Sequence, residues 1–177
     1  MRNNVTTWMI GLVLSIGGAA AFVTSVKATP AAGFTGTTVA VGRFGKFDVL
    51  NTAIIERETK RGPRKDVWLS SQKTRGESDL YVQNNVWTPG GSTGWHSHPG
   101  HSLIIVTAGT VTAYEGDDPD CAPHVYTAGQ GFVDGGGDHV HVLRNEDSVE
   151  ARTMAVQLVP AGAGRRIDAD GNPNCAF

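Results

Sequence analysis

Gly94-Trp95-His96-Ser97-His98-Pro99-Gly100-His101 is the stretch that decides how this chain folds, taken together with His139-Val140-His141 downstream. All six histidines of the protein fall between His96 and His141. In an extended strand successive side chains point to opposite faces, so His96 and His98 share one face with their Cα atoms about 7 Å apart. Two imidazoles on one face can grip a metal ion if a third ligand arrives from another strand, and His141 is the natural candidate. Neutral imidazole is the commonest metal ligand in proteins, and three protein ligands with an open position is the pattern of reactive sites. A lone histidine is more often a hydrogen-bonded rim or surface residue; the His-x-His pair with a partner downstream is what favours ligation here.

Outward from this stretch the chain alternates short apolar runs with turn residues. Strands are expected over 44–50, 80–87, 95–98, 103–107, 110–114, 125–127, 131–134, 139–144 and 152–159. They are punctuated by Pro89-Gly90-Gly91, Ala108-Gly109, Gly116-Asp117-Asp118-Pro119 and Gly135-Gly136-Gly137. Short strands at this spacing argue for an all-β sandwich or barrel, and the length fits one domain. In 80–87, Leu80, Val82 and Val86 fall on one face, with Tyr81, Gln83 and Trp87 on the other. Helix signals are weak, one or two turns over 52–59 at most.

The segment from Thr88 to Asn145 resembles the cupin superfamily. The first motif of that family runs from a glycine through His-x-His to a glutamate and a closing glycine; Gly90, His96-Ser97-His98 and Gly109 fit it. The second runs from a glycine through a Pro-x-Gly turn to a histidine and an asparagine; Gly131, Gly135-Gly136-Gly137, His141 and Asn145 follow that frame. There are two departures. Ser102 and Leu103 occupy the positions allowed to the glutamate, and the triple glycine turns the corner where proline is usual. The resemblance implies an all-β, jelly-roll barrel over about 44–160 and one divalent transition metal ion held by His96, His98 and His141. Iron, manganese, zinc and nickel are not ranked by these ligands, because supply and geometry decide among them.

The missing glutamate leaves the fourth position open. His101 lies one residue before it, and Pro99-Gly100 breaks strict alternation, so His101 is a candidate. Strand parity instead places Ser102 on the face of His96 and His98. His139 has the parity of His141 but lies outside the motif frame, and His124 has no motif support and reads as a surface residue. Three neutral imidazoles without a carboxylate would leave the ion fully dicationic, a stronger Lewis acid toward an anionic or chelating substrate. Thiol dioxygenases, which look like cupins with three histidines on iron, show that such a site can be catalytic. Tyr114 and Asp134 are the nearest acid–base candidates by motif position, although for each a structural role is the commoner one. Trp87 and Trp95 could line an apolar pocket; burial in the core is the simpler account.

The first 28 residues read as a secretory signal, with Arg2, an apolar run over 8–26 and small residues at Val26-Lys27-Ala28; an uncleaved membrane anchor is the alternative. Residues 29–43 read as a flexible lead and 161–177 as a tail. Removing Arg2 and Lys27 leaves 13 Lys+Arg against 17 Asp+Glu, a net charge of −4 that gives no footprint for nucleic acid. The charged stretch 57–65 reads as a solvated loop. In an exported chain the two cysteines, Cys121 and Cys175, read as a disulfide tying the tail to the loop 117–123.

Together these readings describe a secreted or periplasmic metal-binding protein that binds or transforms a small organic molecule. It is expected to take no nucleic-acid partner and no membrane partner once the signal is removed, and it could form a homodimer. The rivals are a metal-poor ligand-binding or structural barrel without catalysis, and an interaction protein using the barrel exterior.

Overall fold

The computed structural model describes residues 29–177, so the signal or anchor expected over 1–28 lies outside the described residues. Twelve strands follow in chain order: β1 (Ala32–Phe44), β2 (Asp48–Thr59), β3 (Gly62–Lys73), β4 (Ser78–Ser92), β5 (His96–Ser97), β6 (Ser102–Ala108), β7 (Thr110–Glu115), β8 (His124–Thr127), β9 (Gly131–Asp134), β10 (His141–Arg144), β11 (Ala151–Pro160) and β12 (Ile167–Asp168). Among the described residues there is no helix, and so none long and apolar enough to cross a membrane.

Ten strands make one antiparallel sheet along the path β12-β5-β10-β4-β11-β6-β9, with β1 added on β4, β7 on β10 and β8 on β7. The sheet curls into a nearly closed barrel, the all-β jelly roll that the motifs imply. Antiparallel strands with one buried face should alternate in burial. In β6, Ser102, Ile104 and Val106 face inward and are buried, while Leu103 and Ile105 face out. Trp87, Val106, Val111, Ala113, Leu143 and Ala151 form one core cluster, against which Phe34 packs with its ring 4.9 Å from that of Trp87. Trp95, Tyr114 and Val142 form a second cluster, closed by the Cys121–Cys175 disulfide.

Four sequence expectations differ from the structure. Residues 29–43 are not a flexible lead: Ala32–Phe44 is β1, paired with β4 from Phe34↔Trp87 to Phe44↔Ser78. Its Thr-Thr-Val-Ala-Val run favours extended backbone, and Arg43 forks onto Asp79 (2.8 and 2.9 Å) to pin its end. Residues 52–59 are not helical, and 57–65 is not a loop. They belong to a hairpin in which β2 and β3 pair only with each other, from Asp48↔Lys73 to Thr59↔Gly62. β-Branched residues and the cross-strand pair Glu56–Lys65 (2.8 Å) suit that ladder. The strand expected over 44–50 is therefore split, with 45–47 as the corner between β1 and the hairpin.

Asn145, fully buried, joins the ends of the two motifs. Its Nδ2 donates to the carbonyls of Trp87, Thr88 and Val149, and its main chain exchanges hydrogen bonds with Gly90 and Gly91 (2.9 Å each). The asparagine that closes the second motif is thus a fastening of the frame rather than part of the chemistry.

Candidate metal centre

His96 sits on β5 and His141 starts β10, and the two strands pair with His141↔His96 in register. His98 follows β5 on the same face. The ligating atoms of His96, His98 and His141 lie within 4.8 Å of one another, and the ring centroids are 4.5 to 5.5 Å apart. Two glycines make this close approach feasible. Gly94 has φ +67°, and a Cβ there would meet the Thr29 carbonyl oxygen at 1.9 Å; Gly136, at φ +67°, lies against the backbone of Gly100. Only glycine takes both the left-handed turn and the contact at no steric cost.

Two of the three imidazoles are held in one orientation by a hydrogen bond at Nδ1. His96 Nδ1 donates to the Gly94 carbonyl (2.8 Å) and His98 Nδ1 to the Arg165 carbonyl (2.5 Å), which leaves Nε2 of both rings as a lone-pair donor. Burial pushes the His96 imidazole down to about 2 and that of His141 down to about 4, so both are neutral near pH 7. For His141 the carboxylate of Asp134 opposes that shift without cancelling it.

Asp134 is the residue whose role the sequence left undecided. It is 3% exposed and stands directly across from Ser102 in the β6–β9 pair. Ser102 Oγ donates to its Oδ2 (3.3 Å) and Gly136 N to its Oδ1 (3.0 Å). His98 Nε2 lies 3.5 Å, His139 Nδ1 3.4 Å and His141 Nδ1 3.7 Å from its carboxylate. The acidic group absent at 102 and 103 is thus present, one strand over. Register puts it there, and register is set by the fold as a whole. Asp134, His139 and His141 also form a second group whose ligand atoms could hold an ion.

The residues present suit a divalent ion. The triad offers neutral nitrogen donors, His141 Nδ1 is buried without a hydrogen-bond partner, and a buried carboxylate stands at its side. Buried charge of this kind is costly unless compensated, and a cation among the three rings would compensate it.

The remaining candidates lie outside the triad. His101 points outward, with Nε2 3.4 Å from Gln72 Nε2, as strand parity requires, and it is in neither ligand group. His124 is exposed on β8. His139 bridges Glu115 (2.5 Å) and Asp134. The Tyr114 hydroxyl donates to Glu146 (2.9 Å) inside the second core cluster, which makes it structural. Trp95 is core in the same cluster, whereas Trp87 lines a cavity of about 210 Å³ that holds all three triad histidines in its wall.

The cavity also decides which of the two expected faces of β4 is interior. Leu80, Val82 and Val86 are only partly buried, while Gln83, Asn85 and Trp87 line the interior, joined by Gln157 of β11. The wall thus mixes these amides with the apolar side chains of Phe34, Trp87, Ile104 and Leu143.

Residues 86–157 match the family model of the cupin domain, so the chain carries a cupin domain over that span. No curated protein sequence matches it. Several solved structures overlap it in part. A cupin domain from Bordetella pertussis Tohama I is 15% identical, with TM-score 0.39, over 64% of this chain and 93% of that one. A predicted oxalate decarboxylase from Thermotoga maritima is 17% identical, with TM-score 0.39, over 48% and 82%. Peruvianin-I, a cysteine peptidase from Thevetia peruviana latex, is 27% identical, with TM-score 0.41, over 51% and 56%. The activities these names carry differ from one to the next.

Proposed function

We propose that this protein is an exported cupin that holds one divalent transition metal at His96, His98 and His141 and acts on a small organic molecule in the adjoining cavity. The observation that carries this reading is the convergence of three imidazoles on a walled cavity, with His96 and His98 oriented by hydrogen bonds and His96 and His141 kept neutral by burial. When bound, the metal would supply a Lewis-acidic centre with open positions for substrate or dioxygen. The chain's own part is to hold the rings through Gly94 and Arg165, to place the Asp134 carboxylate beside His98 and His141, and to shield the centre with Phe34, Trp87, Ile104 and Leu143. The Cys121–Cys175 disulfide supports export, because such bonds persist in oxidising compartments. A dioxygenase is the enzyme class that suits an iron-loaded three-histidine centre.

Elemental analysis of the purified protein tests the reading, with near one equivalent of metal expected. His96→Ala, His98→Ala and His141→Ala should each strip most of it, and His124→Ala should not. His101→Ala should weaken binding by less than about tenfold, since it contacts the site at most indirectly. Full occupancy in a His98→Ala/His141→Ala double variant would refute the assignment. If iron is found, oxygen uptake with candidate substrates tests the dioxygenase reading.

A second reading, a ligand-binding cupin without metal, is favoured by one observation: Asp134 lies near His98, His139 and His141 and can bond them itself. Protein that purifies without metal and takes up none from added divalent ions would select it.

A further inference from the structure

We propose that the barrel cavity is a receptor for a small carboxylic acid with an apolar body, its carboxylate paired with Arg165. The inference deepens the reading of the same site by naming the class of molecule it takes, and it rests on that reading only for the histidine end of the cavity.

Phe34, Trp87, Ile104 and Leu143 supply apolar wall. Into this wall the chain inserts a cation with no countercharge among the described residues. Arg165 is half-buried, and its guanidinium lies over the Tyr81 ring, 4.4 Å from the centroid. Nε donates to Gln157 Oε1 (3.0 Å), Nη1 to Thr38 Oγ1 (3.0 Å) and Nη2 to Gln83 Oε1. All three acceptors are neutral. Its neighbour Arg166, by contrast, is paired with Asp168 (2.5 Å). A guanidinium has five N–H donors, so Arg165 is held rigidly by three and retains two. Burial disfavours its charged form, and an anion arriving in the cavity would relieve that cost. A planar carboxylate is the anion that matches a guanidinium fork.

The wall also carries polar atoms with no partner: Trp87 Nε1, a donor, and Asn85 Oδ1, an acceptor, are buried and unbonded, on residues that line the cavity. Leaving such groups unpaired is costly. One residue also couples the two ends of the site: the main-chain carbonyl of Arg165 orients His98 while its side chain stands in the cavity wall.

The test is a titration of the full chain, as purified and again after chelation, with 4-hydroxybenzoate and its neutral counterpart 4-hydroxybenzamide, followed by tryptophan fluorescence and calorimetry. The acid should bind at least about tenfold more tightly than the amide, as a charge-assisted bidentate pair requires. Arg165→Gln, which leaves the backbone contact to His98 in place, should abolish that preference. If Arg165→Gln does not fold, Arg165→Lys decides: it keeps the charge and loses the fork, so a weaker preference for the acid supports the proposal and an unchanged affinity overturns it. No saturable binding of either probe, equal binding of both, or a preference that survives Arg165→Gln also overturns it. Because the chelated arm needs no metal, its failure leaves the metal assignment standing, and absence of metal leaves this inference standing.

Discussion

The imidazole of His141 has two environments, one on each nitrogen: the triad on one side, and Asp134 with an unfilled hydrogen-bonding position at Nδ1 on the other. A carboxylate behind a ligating histidine fixes the ring and raises its basicity, and losing one typically costs 10–100-fold in metal affinity. Asp134→Asn, which keeps the shape and removes the charge, should therefore weaken metal binding by about 10–100-fold in a chelator competition titration. An unchanged affinity would show that Asp134 is only structural. The same burial makes the metal-free protein acid-sensitive. Folded His96 and His141 protonate near 2 and 4, whereas unfolded histidine protonates near about 6.5. The unfolded chain thus binds more protons below about pH 6.5, and stability falls as pH falls, by about 1.4 kcal/mol per pH unit for each ring. The loss slackens near pH 4, where His141 begins to titrate in the folded state and only His96 still contributes. Urea denaturation of chelated protein at successive pH values between neutrality and that point measures this; stability that rises on acidification would contradict it.

Among the elements, β2 and β3 stand apart. They form a separate two-stranded sheet, and Leu50, Ile54, Val67, Trp68 and Leu69 are each more than half exposed. An isolated hairpin is marginally stable in water, so this one adds little to the barrel that carries it. Its base is narrow, with Phe47 N donating to Thr74 Oγ1 (3.1 Å) and Thr74 N to the Phe47 carbonyl (2.9 Å). Replacing residues 48–73 with a short Gly-Ser link should leave the melting temperature of the barrel within about 4 °C, because less than about 1 kcal/mol is at stake. Calorimetry of the shortened protein checks this, and a larger fall would show that the hairpin packs on the barrel.

Over the whole molecule, the C-terminal tail acts as a strap. β12 pairs with β5, Phe177 stacks on Trp95 and lies under Arg144, and Cys175 closes a 54-residue separation back to Cys121. The strap runs behind the strand that carries His96, and its Arg165 holds His98. Cys175→Ser should lower unfolding free energy by up to about 4 kcal/mol by the chain-entropy account, read from denaturant curves. Equal stability of the two proteins would show that the tail is held by packing alone.

Legible in the chain from the start were the all-β barrel, the gathering of His96, His98 and His141, and the Cys121–Cys175 pair, while His101 was left between two outcomes. These follow from local rules: period-2 alternation, motif spacing and an even cysteine count. Hidden from such rules were Asp134 opposite Ser102, Arg165 in the cavity wall and the inward face of β4. Those depend on which strands pair and in which register, and on how far the sheet curls. Alternation says that Gln83, Asn85 and Trp87 share a face but not which face is inside. The barrel turns the amides inward because the space they enclose is a chamber rather than a packed core, and closure of the sheet creates that space.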